Sequence, residues 1–175
     1  LNGPMDYHGG ANDDLLIGAG ADDGGPGYFM RGDICEEIVY DVAVNDAQRI
    51  IISNYLAAKY DITLNNFDIY NEDDNGDYDF DVSGIGRTDA SNIQDDSQGS
   101  SMLRILNPSN LGNNEFMIWG HDNGITNATN TTDIPASVDA RLDRVWRISE
   151  RNTSNTSNVN VGTVDMQWDL SFYPT

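Results

Sequence analysis

Residues 45–60 read NDAQRIIISNYLAAKY, and they carry the clearest helical pattern of the chain. Apolar side chains recur along one helical face at Ala47, Ile51, Ile52, Tyr55 and Leu56. Asn45 followed by Gln48 has the spacing of a capping box, which marks a helix start. The pattern predicts one amphipathic α-helix at about 46–60, with its apolar stripe packed on a sheet.

Outside this helix the strongest patterns are typical of β-strands. Dense β-branched and aromatic residues occur at 33–40, 78–82, 102–106, 115–119, 144–148 and 164–170. Turn-forming residues separate these segments, as they do in sandwich folds. The sequence therefore predicts a mostly β fold, an antiparallel β-sandwich of jelly-roll-like type, and the pattern at 164–170 predicts a partner strand from outside this sequence.

Charge excludes several partners. Nine Lys and Arg residues face 29 Asp and Glu residues, which gives a net charge of -20. Such a surface repels nucleic-acid phosphates and anionic lipid headgroups, so no nucleic-acid partner is expected. Apolar runs are only a few residues long, far below the ~20 of a membrane helix, so no membrane insertion is expected either.

An acidic loop supplies the candidate metal site. Its oxygen side chains alternate at Asn71, Asp73, Asn75, Asp77 and Asp79. Gly76 lies among them where a calcium loop turns, but Val82 replaces the Glu that closes an EF-hand. The loop is a candidate calcium site, and the alternative is that the acids at 77–81 form the solvated face of a strand.

Catalytic constellations are weak, so no catalytic or cofactor-binding residue is predicted. Asp33, Glu36 and Glu37 form the one carboxylate group that resembles a retaining glycosidase pair. The usual Glu-x-Asp-x-x-Glu pattern of sandwich-fold glycanases is absent, so an acidic edge strand that resists aggregation is the favoured explanation. Cys35 is expected as a buried thiol, and His121 as part of a turn.

The three tryptophans, Trp119, Trp146 and Trp168, each lie in a predicted strand. An aromatic face can stack on a sugar ring, so one of them could mark a glycan site. All three alternate with other apolar residues, and this favours core packing.

The segments Gly32–Asp41, Asn45–Arg49 and Asn54–Ile62 together closely resemble the tail of laminin-G-like (concanavalin-like) modules in Bacteroidota surface proteins. The later segments Asp81–Asp89, Met117–Asn123 and Arg144–Arg147 resemble the uncharacterised β-rich module that often follows that tail. The resemblance implies two domains. Residues 1–62 are the end of a laminin-G-like sandwich plus the helix, and residues 63–175 are a β-rich sandwich module.

The same resemblance implies an exported protein, commonly large, displayed on the cell surface and sent out by type IX secretion. The expected function is a non-catalytic extracellular adhesion or scaffold module, with calcium as the candidate cofactor. Its expected partners are an extracellular glycan, a protein surface or neighbouring copies of itself. Two alternatives stay open, a subunit of an extracellular filament or matrix fibre and a polysaccharide-active enzyme module.

Overall fold

The computed structural model describes residues 16–22, 25–71, 76–100, 102–154, 156 and 159–172. The chain divides into two compact units, Leu1–Asp41 and Val42–Thr175. In the first unit, strands β1 (Gly20–Asp22) and β2 (Gly25–Gly27) form an antiparallel pair.

The strand predicted at 33–40 does not form. No described segment pairs with these residues, and a strand needs a neighbour for its backbone hydrogen bonds. Cys35 is exposed, so the prediction of a buried thiol is wrong. Apolar side chains of this segment are also exposed.

The second unit begins with helix α1 (Asp46–Tyr60), which has the predicted bounds. Asn45 and Gln48 form the capping box, since each side chain accepts from the other's backbone N–H at 2.9 Å. Asp61 ends the helix in the left-handed conformation.

Two antiparallel sheets follow. The larger contains β3 (Phe80–Asp89), β4 (Asn92–Gln94), β7 (Glu115–His121) and β10 (Trp146–Asn152), in the order β10-β7-β3-β4. The smaller contains β5 (Asp96–Gln98), β6 (Leu103–Leu106) and β11 (Asp165–Trp168), in the order β11-β6-β5. The strand predicted at 164–170 thus finds its partner, β6, within the chain, and the expectation of a partner strand from outside this sequence is wrong. A short pair, β8 (Thr129–Asn130) and β9 (Arg141–Leu142), and a 3-10 turn at Leu170–Phe172 complete the described elements. The mostly β, antiparallel, single-helix architecture is confirmed; its jelly-roll-like character stays a prediction.

The core has two parts, one on each side of the larger sheet. The first joins the helix to the central strands through Ala47, Ile50, Ile51, Ala58, Ile69, Tyr70, Val82, Phe116 and Ile118. The second joins the central strands to the smaller sheet through Ile85, Leu103, Ile105, Met117, Trp119 and Val161. Neighbouring residues of β7 serve the two parts alternately. This two-sided burial explains why residues 116–119 of that strand are apolar without interruption.

The helix therefore shares its core with residues after position 62. Ile50 and Ile51 pack with Val82 and Ile118, and the compact unit begins at Val42. A domain boundary at residue 62, which the sequence analysis predicted, would place the helix side chains Ile50 and Ile51 in a different domain from the residues they pack against.

Candidate functional site

A β-bulge shapes the start of β3. Phe80 pairs with His121 and Ser83 pairs with Trp119, so two residues of β3 face one residue of β7. Asp81, inside the bulge, has a φ of 51°. Gly120 lies opposite, and a Cβ at that position would be 2.3 Å from the Tyr78 carbonyl oxygen. The bulge thus needs a glycine on the neighbouring strand.

The bulge directs the Asp81 carboxylate at His121. Asp81 Oδ2 lies 2.7 Å from His121 Nε2, and the histidine is buried. The Asn123 backbone N–H donates to Nδ1 at 2.9 Å, which leaves Nε2 as the donor to the carboxylate. Both ring nitrogens are therefore engaged by the protein itself.

The pKa of Asp81 is lowered by this arrangement. The hydrogen bond with His121 is the largest cause, and a hydrogen bond from Ser100 and the charge of Arg144 act in the same direction. Burial opposes them, because it disfavours the charged carboxylate.

Aromatic rings surround His121. The Phe80 ring stacks on the imidazole with 6.1 Å between centroids, and Trp146 meets it edge-on at 5.9 Å. Trp168 packs edge-on against Trp146 at 5.0 Å. We call Phe80, His121, Trp146 and Trp168 the aromatic cluster. Its outer members are accessible, since Phe80 is 41% and Trp168 39% exposed.

The cluster separates the three tryptophans by role. Trp119 is 1% exposed and belongs to the core, as core packing predicted. Trp146 is half-buried and packs against that core. Trp168 keeps an accessible part of its ring, which is the property a sugar-stacking platform needs.

Sequence reasoning missed the contact between Asp81 and His121. It placed Asp81 on a solvated strand face and His121 in the turn with Asp122. The turn does exist, since Asp122 Oδ1 accepts from the Gly124 and Val145 N–H groups. The solvated position expected for Asp81 assumed regular strand alternation, which the bulge interrupts. Gly120, on the neighbouring strand, was the one sequence feature that could have indicated the bulge.

The candidate calcium ligands lie only partly within the described residues. Asp73 and Asn75 fall outside them. Asn71 and Asp77 are exposed and Asp79 is half-buried. Among the described residues no group of three or more His, Cys, Asp or Glu side chains could hold a metal ion. The five-ligand calcium site stays a prediction.

The N-terminal carboxylates do not form the arrangement imagined for a glycosidase. Asp33 and Glu37 are exposed and lie outside any strand. The prediction that Asp33 and Glu37 share one face of a strand is wrong, because these residues form no strand.

The fold and the site together define a β-sandwich domain covered by one helix on its larger sheet. Residues 48–175 match the model of a family described as a domain of unknown function (DUF8202), and the chain belongs to this family. No curated protein and no solved structure matches the chain. Within the described part of the chain, no helix has the length and apolar character needed to cross a membrane.

Proposed function

We propose that the chain is a non-catalytic extracellular adhesion or scaffold module of a large bacterial surface protein. The resemblance to Bacteroidota surface modules supports this proposal, and so does the acidic character of the chain, with its net charge of -20. In this proposal the module reaches the cell surface by type IX secretion and contacts an extracellular glycan or protein.

One observation carries the proposal. The segment 33–40 leaves apolar side chains in solvent, and Val39 alone is 66% exposed. Ile34, Ile38 and Tyr40 are exposed beside it. Contiguous exposed apolar groups are typical of surfaces that contact another macromolecule. A binding or scaffold role uses such a surface.

The engagement of His121 supports a non-catalytic role. A general base must keep one nitrogen available for substrate. Here Nδ1 accepts from the Asn123 backbone and Nε2 contacts Asp81. The pair therefore holds the bulge against β7, and this structural role accounts for both groups.

Surface display is the decisive test. Intact producing cells would be treated with an external protease, and an antibody against residues 42–175 would follow the parent protein. We expect rapid loss of the signal, while a cytoplasmic protein in the same cells stays protected. A signal that disappears only after the cells are broken would refute the proposal.

The filament alternative rests on a different observation. β11 is an edge strand of the smaller sheet, and all four of its residues are exposed. Met166 is 44% exposed. Edge strands can receive a strand from a neighbouring chain.

Sedimentation velocity over a range of protein concentrations tests this alternative. Assembly that grows with concentration would support it, and Met166→Lys would then reduce the assembly by placing a charge on the edge. Purified protein that stays monomeric at the highest concentration would reject it.

A further inference from the structure

A groove lies at one end of the sandwich, between the β3–β4 pair and the loop that follows β6. Its volume is about 370 Å³, and its walls include Arg87, Ile93, Asp95, Ser109, Asn110 and Leu111. The aromatic cluster contributes none of these residues. The volume falls within the range of about 300–1,000 Å³ that is usual for small-molecule sites.

Arg87 lines this groove with a guanidinium that is only partly hydrogen-bonded within the described part of the chain. Its Nε is buried and has no hydrogen-bond partner in the described part of the chain. Nη1 donates to the Leu111 carbonyl over 3.4 Å, which is a long contact. Glu115 pairs with Arg87 across the strands, but its carboxylate accepts from the Gly112 N–H at 2.8 Å. Nε has almost no accessible surface, so a ligand cannot reach it. Nη2 also makes no hydrogen bond among the described residues and is not buried, so a ligand oxygen can accept from it.

Acceptors stand beside this donor. The Asp95 side chain is exposed, and within the described residues it makes no hydrogen bond. Asn110 donates its amide to the Asn160 carbonyl at 3.0 Å, and its side-chain oxygen accepts no hydrogen bond among the described residues. Hydroxyl groups can accept from Arg87 and donate to Asp95 and Asn110. Adjacent hydroxyls on one ligand match this mixture of donors and acceptors.

The wall of the groove is held in place before any ligand binds. The Ser109 and Asn110 N–H groups donate to the Thr163 and Val161 carbonyls, both at 2.9 Å. Gly162 permits this approach, because its φ is 79° and a Cβ there would lie 2.2 Å from Ser109 Oγ. A fixed wall lowers the ordering cost of binding.

We propose that this groove binds a neutral saccharide through Arg87 and Asp95. The net charge of -20 and the Asp95 carboxylate both disfavour an acidic sugar. Ile93 and Leu111 offer apolar contact for the carbon face of the ring. The inference rests on the proposed adhesion function and names a site for its glycan partner.

Amide chemical-shift titration of the full chain with cellobiose, maltose and lactose tests the inference. We expect at least one of them to shift the amides of residues 93–95 and 107–111, and sodium glucuronate to bind more weakly. Asp95→Ala should weaken that sugar by about tenfold or more, since it removes a charged hydrogen-bond partner. Arg87→Lys keeps the charge but loses the planar guanidinium and its Nη donors, and should weaken the binding of that sugar similarly.

Asp139→Ala, at another exposed acid, is the matched control and should leave the affinity unchanged. Asp95→Ala should leave the fold intact, because the Asp95 side chain is exposed and makes no hydrogen bond to another described residue. The inference is overturned if none of the three sugars shifts these amides, if the shifts map to Phe80 and Trp168 instead, or if glucuronate binds best. None of these results decides surface display, which the protease experiment tests separately.

Discussion

The Asp81 carboxylate links the stability of the domain to pH. His121, Ser100 and Arg144 together lower its pKa on folding, against the opposing effect of burial. An acid whose pKa falls on folding stabilises the folded state at pH values above its unfolded-state pKa of ~3.9. This contribution is lost as the pH falls through the lower, folded-state pKa.

Asp81→Asn should therefore destabilise the domain most at neutral pH. We expect the free energy of unfolding at pH 7 to fall by ~1–3 kcal/mol, because His121 loses its charged partner in a buried place. The difference from wild type should shrink as the pH drops below ~4. Urea titrations at several pH values measure it, and Asp139→Asn is the exposed control. An equal loss at pH 3 and pH 7 would contradict this assignment.

At the scale of one residue, prediction from sequence reached the local contacts and missed the distant ones. The capping contact between Asn45 and Gln48 spans three positions, and the spacing of these two residues predicted it. The contact between Asp81 and His121 spans 40 positions and depends on a left-handed residue. No pattern along the chain fixes such a conformation at an aspartate.

At the scale of the elements, one buried polar side chain of α1 holds the segment 67–70 against the helix by hydrogen bonds. Asn54 is 1% exposed and donates to the Ile50 and Phe67 carbonyls. Its Oδ1 accepts from the Ile69 and Tyr70 N–H groups, each at 3.0 Å. One side chain thus satisfies several backbone groups that the fold buries.

Asn54→Leu keeps the size of the side chain and removes these bonds. The buried N–H groups of Ile69 and Tyr70 then lack partners, at about 1–3 kcal/mol for each, whereas the Phe67 carbonyl belongs to an exposed residue and can turn to water. We expect the free energy of unfolding to fall by ~2–5 kcal/mol and the amides of residues 69 and 70 to exchange faster. Ser53→Ala, one position earlier on the helix, should have little effect. Equal stability of the two variants would show that Asn54 does not hold the segment.

Comparison of the helix, which forms, with the strand predicted at 33–40, which does not, shows which elements can be predicted from sequence. A helix closes its hydrogen bonds within itself, so its period and cap suffice to define Asp46–Tyr60. A strand needs a second segment, and residues 33–40 have none among those described. The five strand patterns between 78 and 170 did form strands, because each found a neighbour in one of the two sheets.

Calcium should act on the segment between α1 and β3. If the loop from Asn71 to Asp79 binds the ion, calcium must raise the melting temperature, since it binds only the folded state. At a hundredfold excess over Kd the gain is ~2.7 kcal/mol. Calorimetric titration and melts with and without chelator measure both effects. Asp77→Asn should abolish the gain and Asp139→Asn should not; no binding to wild type would leave these acids as a solvated surface.

At the scale of the whole second unit, the larger sheet lies between two other layers, the helix and the smaller sheet. The helix covers one face of β3 and β7, and the smaller sheet covers the other. Loss of either covering layer exposes apolar side chains in the middle of β3 and β7, where residues 82–86 and 116–121 are all buried. The bounds of an independently folding domain must therefore include the helix.

A chain of residues 42–175 should unfold in one cooperative transition, whereas residues 63–175 should not fold cooperatively. The shorter chain lacks Ala47, Ile50, Ile51 and Ala58, so Phe116 and Ile118 lose their cover. Each large buried aliphatic or aromatic side chain contributes ~1.5–3 kcal/mol, so loss of the contacts among Ile50, Ile51, Phe116 and Ile118 removes about 6–12 kcal/mol, which is comparable to the usual 5–15 kcal/mol stability of a domain. Thermal melts by circular dichroism compare the two. A cooperative melt of the shorter chain would show that the two sheets fold alone and that the helix is an accessory, as the division at residue 62 would require.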